Sequence, residues 1–222
     1  MAVKYGSGST PGSALCTTRI ASASAFAKTE GSYVGLDLHR AVAAAKYNNN
    51  TAPSAFDPTY ESSKTGLGVQ YKYAFNFDKI FVAPGLFYES INTVTDMGID
   101  EATAHRELKL SNRYGAKIDF GYDINDNLAA YVTGGVSKLQ YSTNAEDGDG
   151  LGLPMAIHKP AIGYLYGFGL LTHLNKNWTL GAEYNTQKFN VKSVRAYHST
   201  IHTNDHIKTR IDMYKFTVAY HF

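Results

Sequence analysis

Seven charged residues, Lys72, Glu89, Arg113, Lys117, Asp119, Glu183 and Lys215, lie in stretches where a large apolar residue recurs at every second position. Alternate residues of a strand share a face, so these charges collect on one side and the apolar residues on the other. Asp37 has the same parity in its own stretch. Lysine and arginine facing carboxylates across a confined interior can do one of two things. They can pair into a salt-bridged plug, or they can line a gate that passes ions. Buried charges are tolerated only when matched, so a filled, charge-balanced interior is the expectation and a gate is the alternative.

Three further constellations carry less. His198, His202 and His206 recur at every fourth position beside Asp205. On a helix they would share a face and could bind zinc or copper. In an irregular loop the spacing has no geometry, so no metal is expected there. Glu146-Asp147-Gly148-Asp149-Gly150 has oxygen donors suited to calcium but no closing Glu, which reads as a solvated acidic loop. His198-Ser199 pairs a base with a hydroxyl only as sequence neighbours, and no third partner can be assigned. With neither a phosphate-cradling loop nor a Cys-x-x-Cys, the expectation is a protein that is not an enzyme and needs no cofactor. The single cysteine, Cys16, permits no internal disulfide.

The elements that position the charges repeat one unit from residue 31 onward, an alternating segment followed by a connection. Segments fall at 32–40, 65–75, 80–90, 108–123, 128–141, 162–174, 178–189 and about 206–222. Three connections are short: Asn76-Phe77-Asp78-Lys79, Asn125-Asp126-Asn127 and Asn175-Lys176-Asn177. Their residues tolerate left-handed backbone. Four are long, at 41–62, 91–106, 142–159 and 190–205. Eight segments joined alternately by short and long connections predict an all-β, eight-stranded antiparallel up-and-down barrel, with both termini on the short-turn side. Pro84 has no N–H to give a ladder, which predicts a bulge in the third strand.

Residues 1–30 are rich in Ala, Ser, Thr and Gly, lack strand periodicity and are expected to be a disordered leader or signal remnant. Ala25-Phe26-Ala27 resembles a cleavage site, but no apolar core precedes it. The barrel domain is expected over 31–222.

Composition decides between two kinds of barrel. A net charge of +2 is too small to argue for nucleic acid. The longest apolar run, 161–171, is well short of the ~18 residues a spanning helix needs. A soluble barrel, like a lipocalin, would be apolar inside and polar outside. Here the less apolar face carries Gly35, Gly66, Gly68, Gly85, Gly115, Gly121, Gly135, Gly167, Gly169 and Gly181 together with charges of both signs. A narrow interior needs such small residues beside large ones. On the apolar face, Tyr73, Phe75, Tyr122 and Trp178 sit beside the short turns, where an aromatic girdle at a membrane boundary would lie. In strand four this face is read as Leu108, Leu110, Tyr114, Ala116, Ile118, Phe120 and Tyr122. The final strand places Tyr214, Phe216, Val218, Tyr220 and Phe222 on the same face.

Tyr33-Val34-Gly35-Leu36, Phe81-Val82-Ala83-Pro84-Gly85-Leu86, Ala130-Tyr131-Val132-Thr133-Gly134-Gly135-Val136, Trp178-Thr179-Leu180-Gly181-Ala182-Glu183-Tyr184 and the closing Val218-Ala219-Tyr220-His221-Phe222 resemble the OmpA/opacity-protein superfamily of small bacterial outer-membrane barrels. The resemblance covers roughly residues 31–222. It implies an integral outer-membrane protein of a Gram-negative envelope, in contact with the bilayer and lipopolysaccharide. It also implies a last strand, Tyr214 to Phe222, that the barrel-assembly machinery reads, and long loops that present a surface antigen or adhesin to a host receptor. A monomer is expected, with a narrow porin-like channel and a soluble ligand-binding barrel as the alternatives.

Overall fold

The computed structural model describes residues 29–48, 59–99, 104–147, 155–197 and 200–222. Eight strands account for nearly all of them: β1 (Gly31–Asn48), β2 (Thr59–Phe77), β3 (Ile80–Ile99), β4 (Ala104–Asn125), β5 (Leu128–Asp147), β6 (Met155–His173), β7 (Trp178–Tyr197) and β8 (Thr200–His221). Each pairs antiparallel with its sequence neighbour, and β1 with β8 closes the barrel. Closure runs through Val34 opposite Tyr220 and Tyr33 opposite His221, and the Phe222 N–H donates to the Ser32 carbonyl at 3.0 Å.

Register fixes the barrel's shape. Partners followed from Gly35 pass through Gln70, Phe87, Gly115, Ser137, Gly163, Phe189 and Thr209, and return to β1 at Ala45, ten residues on. With a rise of ~3.3 Å per residue and ~4.8 Å between strands, a stagger of that size over eight strands tilts them by about 40°.

The two ends are built differently. At the short-turn end, the Asn125 side-chain carbonyl accepts the N–H groups of Asn127 and Leu128, both at 2.9 Å. Asn175 does the same for Asn177 and Trp178, at 2.9 and 3.0 Å. Such side-chain caps are why asparagine opens these turns. The third turn holds Asp78 at a φ of 66°. At the other end the strands run far beyond the segments read from the sequence. The gaps expected at 41–62, 91–106, 142–159 and 190–205 are largely strand, because β1 continues to Asn48, β3 to Ile99, β5 to Asp147 and β7 to Tyr197. There the outward face loses its run of large apolar residues, with Lys46, Glu61, Ser63 and Asn92 exposed while Ala41, Ala43, Ala45 and Ile91 stay buried, which hides the membrane-facing alternation and leaves the ladder intact.

Alternation holds for most of the wall. Leu36, Leu67, Leu86, Ile118, Val132, Phe168 and Phe216 face outward and are 48–67% exposed. This is the reverse of a soluble ligand-binding barrel and excludes that alternative. In β4 the alternation slips. A register shift lies between Leu110 and Arg113 in the pairing with β5, and one between Ser90 and Thr93 in the pairing with β3. An extra residue in one strand swaps the faces beyond it. Leu108 and Leu110, expected on the outward face with Tyr114, therefore point into the lumen and are fully buried.

Pro84 produces no bulge. It keeps its register with Ile118 on β4. On the β2 side pairing lapses between Lys72–Gly85 and Phe75–Val82 and resumes with the register unchanged. A missing N–H costs a ladder bond without requiring an inserted residue. Thr29 and Glu30, assigned to the leader from the sequence, lie just before β1. The buried Thr29 hydroxyl donates to Asp123 at 2.8 Å and lies 3.1 Å from His173 Nε2. Residues 1–28 lie outside the described residues.

Candidate functional site in the barrel interior

The wall brings all seven charges into one lumen. Lys72 comes from β2, Glu89 from β3, Arg113, Lys117 and Asp119 from β4, Glu183 from β7 and Lys215 from β8, and each is buried. Register alone opposes two of the pairs, Glu89 with Arg113 and Glu183 with Lys215. Glycine makes the space. Gly169 lies directly beneath the Tyr131 ring and Gly121 beneath Phe81, so close that a Cβ at either position would clash.

The charges form a single alternating chain across the lumen. Lys72 lies 3.3 Å from Asp119, and Asp119 lies 3.7 Å from Lys117. Lys117 reaches Glu183 at 2.5 Å, and Glu183 reaches Lys215 at 2.8 Å. Lys215 lies 3.1 Å from Glu89, which Arg113 holds at 2.5 Å. Asp37 completes the balance to four cations and four carboxylates. It is buried and accepts hydrogen bonds from Thr217 at 2.6 Å and Gln70 at 2.7 Å. Buried ions persist only with such pairing and with their remaining hydrogen-bonding positions filled.

Neutral side chains fill many of these positions, though not that of Asp37 Oδ2, which has no hydrogen-bond partner among the described residues. The Tyr131 hydroxyl donates to Glu183 at 2.9 Å, and Asn185 donates to the other Glu183 oxygen at 2.7 Å. Arg113 donates to Gln187 at 2.7 Å, and Gln187 in turn bonds Ser137. The Lys72 ammonium stands 5.3 Å from the Tyr131 ring centre, and the Arg113 guanidinium 5.3 Å from that of Phe87. Such cation–π contacts suit a desolvated site. Tyr131, Asn185 and Gln187 were not singled out in the sequence. Their inward parity was readable, but polar neutral residues carry no signal of whom they meet.

Apolar layers close the network above and below. Toward the short turns lie Tyr33, Ala74, Phe81, Ala83, Ala129, Leu171 and Ala219, beside the ring of Tyr131. Toward the long hairpins lie Ile91, Leu108, Leu110, Leu139, Tyr141, Phe189, Ile211 and Met213 with alanines of β1. The sequence reading missed this outer layer because the β4 slip sent two of its leucines to the wrong face. Asn112, polar in an apolar parity, was the available signal.

The other singled-out residues lie elsewhere. Tyr73, Phe75, Tyr122 and Trp178 face outward at the short-turn end, 41–49% exposed. Trp178 meets Tyr220 edge-on at 5.3 Å between ring centres, and Tyr220 meets Phe222 at 5.0 Å. The expected parity of Tyr214, Phe216, Val218, Tyr220 and Phe222 is the observed outward one. The histidines do not share a helical face. His198 lies outside the described residues, while His202 and His206 belong to β8 and pair with Arg195 and Lys192. Glu146 and Asp147 end β5, and residues 148–150 lie outside the described residues.

A family model, described as outer membrane protein beta-barrel domain, matches residues 13–222. A search of curated proteins finds no matching sequence. Among solved structures, the outer membrane protein OprG from Pseudomonas aeruginosa is similar at 13% identity, with 88% of this chain and 98% of that chain covered and a TM-score of 0.57. AlkL, solved in lipid bilayers, matches at 15% identity over 100% of this chain and 97% of that chain, with a TM-score of 0.52. Ail of Yersinia pestis matches at 14% identity over 87% and 99%, with a TM-score of 0.43. The apolar outward wall, the closed eight-stranded meander and the near-complete family match agree, and the chain belongs to the outer membrane β-barrel domain family, a protein of the bacterial outer membrane.

Proposed function

We propose that the protein is a sealed, non-catalytic outer-membrane scaffold that works through its outward extension rather than its lumen. The observation that carries this reading is the continuous ion-pair chain, whose side chains are at most 6% exposed. Two apolar layers enclose it. A conducting pore needs wetted charges and a path between them; here Glu89, Asp119 and Glu183 are each engaged by a cation, and Asp37 is buried and bonded by Thr217 and Gln70.

The outward extension follows from strand length. Strands of 18–22 residues at this tilt stand about 45–55 Å tall, roughly twice the ~25 Å apolar band of an outer-membrane barrel. The four long hairpins therefore carry the barrel wall itself away from the bilayer and give a rigid platform for adhesion or for recognition as a surface antigen. Tyr73, Phe75, Tyr122 and Trp178 serve as the inner girdle, and the strand Tyr214 to Phe222 as the signal to the assembly machinery. The scaffold acts as a monomer.

Two measurements test this. Refolded protein in planar bilayers should give no steady current, and an ohmic pore that changes with Lys72→Ala or Lys117→Ala would replace the scaffold with the narrow-channel alternative. Cells displaying the chain should adhere to host cells more than cells displaying a version with all four hairpins trimmed to the membrane; equal adhesion would remove the adhesin role.

A further inference from the structure

Toward the long hairpins the barrel wall parts along two lines. β2 and β3 are ladder-paired only up to Gly68 with Glu89, and β6 and β7 only up to Gly163 with Phe189. The other strand pairs continue to their tips, at Lys46–Thr59, Asn48–His206, Tyr197–Thr200, Ile99–His105, Ala104–Asp147 and Ala145–Met155. The outward extension is therefore two four-stranded lobes, β7-β8-β1-β2 and β3-β4-β5-β6. They meet at two seams that have no main-chain ladder among the described residues. The β2–β3 seam begins just above Leu67, where the outward apolar run of β2 ends.

Four strand edges border these seams, and three are blunted. β3 has register shifts at Ser90/Thr93 and Asp96/Ile99, with Asn92 at a φ of 45°. β6 carries Pro160, which has no N–H, and β7 shifts register between Ser193 and Arg195. Bulges and prolines are how natural edges avoid pairing with a further strand. β2 has neither, and from Thr59 to Leu67 it holds one unbroken register with β1. Side chains and close contact hold its seam shut. Ser62 Oγ lies 2.6 Å from Thr95 Oγ1, and the Ser90 carbonyl lies directly against Gly66. On the inward side, Ser62 adjoins Ala43 and Thr95 adjoins Leu108, both buried. On the outward side, Glu61, Ser63, Thr65, Asn92 and Val94 are exposed. The two charges of this stretch of β2, Glu61 and Lys64, are of opposite sign. The seam thus offers unpaired main-chain groups between an apolar floor and a nearly neutral rim.

We propose that the β2–β3 seam takes up an extended segment of another protein as an added strand. The segment has no net charge and has apolar residues at alternate positions. Those residues face Ala43 and Leu108, the others face water, and the main chain bonds to the free edge of β2. β3 moves aside by about one strand spacing, ~4.8 Å, and gives up the Ser62–Thr95 hydrogen bond. This partner class rests on the reading that the outward extension is the working part of the protein.

Full-length protein in phosphatidylcholine nanodiscs, titrated into a short fluorescent peptide of alternating valine and threonine, tests the seam by anisotropy. Binding should saturate, and it should slow amide exchange at 59–67 while leaving 69–75 unchanged. A main-chain hydrogen bond is worth about fivefold, so the same peptide with every amide N-methylated should bind at least about a hundredfold more weakly. Ser62→Cys with Thr95→Cys, in a Cys16→Ser background, puts thiols where the two hydroxyls now touch. Oxidised, this variant should lose the peptide; reduced, it should regain it. The heat-dependent gel mobility of a closed barrel verifies folding in both states. No binding by the alternating peptide, equal binding by its N-methylated form, or equal binding by the oxidised and reduced variant would each overturn the assignment. On cells, adhesion that survives the oxidised lock but not trimming of the hairpins would overturn it and leave the adhesin role in place. If trimming leaves adhesion unchanged, the adhesin role falls and the peptide titration still decides the seam.

Discussion

Removing the Glu183 carboxylate tests whether the lumen is dry. Glu183 receives Lys117 at 2.5 Å, Lys215 at 2.8 Å, Tyr131 at 2.9 Å and Asn185 at 2.7 Å. In Glu183→Ala, Lys117 keeps only Asp119 at 3.7 Å and Lys215 keeps Glu89 at 3.1 Å. The interior is left with four cations and three carboxylates. Breaking a buried pair from one side costs about 3–5 kcal/mol, because the abandoned charge stays desolvated. With an m-value of about 2 kcal/mol per molar urea, the unfolding midpoint in lipid vesicles should fall by about 2 M. The fluorescence of Trp178, the only tryptophan, reports the transition. Replacing both partners, Lys117→Met with Glu183→Met, restores the balance at three of each sign and should cost far less than Glu183→Ala alone. A loss below about 1 kcal/mol for Glu183→Ala, the worth of an exposed pair, would refute the dry-plug reasoning and mark the lumen as hydrated.

Three more outcomes follow from the same geometry. Gly169→Val forces the Tyr131 ring off its seat and should cost about 1–3 kcal/mol by overpacking; combined with Tyr131→Phe the losses should be less than additive, since both remove the Tyr131–Glu183 hydrogen bond. Asn175→Ala deprives two backbone N–H groups of their acceptor and should cost about 1 kcal/mol, with faster amide exchange at Asn177 and Trp178. Deleting Phe222 removes one closing hydrogen bond and one ring contact, so refolding in vitro should change little while the assembled fraction in cells drops sharply; unchanged assembly would remove the signal role.

How much of this was legible in the chain depends on how each feature is encoded. Period-two alternation is a local property, so the strand count, the parity of Lys72, Glu89, Lys117, Glu183 and Lys215, and the outward set from Tyr214 to Phe222 could all be read directly. The asparagine turns were equally local, since each cap acts within three residues. Strand ends were less legible, because a hairpin standing clear of the membrane loses the run of large apolar residues on its outward face. The faces of Leu108 and Leu110 were misread because one inserted residue inverts a strand and leaves almost no trace in composition. The His198, His202 and His206 spacing was judged against a helix, and the strand that contains two of them separates equal spacings more than twofold further.

By itself the sequence determined the class of object: eight amphipathic strands, apolar on one face, with small residues and charges on the other. That much follows from side-chain alternation and the cost of leaving backbone groups unpaired in lipid. Which charge meets which was decided only by closure. The ten-residue stagger sets the heights at which β2, β3, β4, β7 and β8 present their side chains, and residues more than a hundred positions apart, such as Glu89 and Lys215, become partners at 3.1 Å. Pairing across a lumen depends on the whole circumference, and no local stretch of chain contains it.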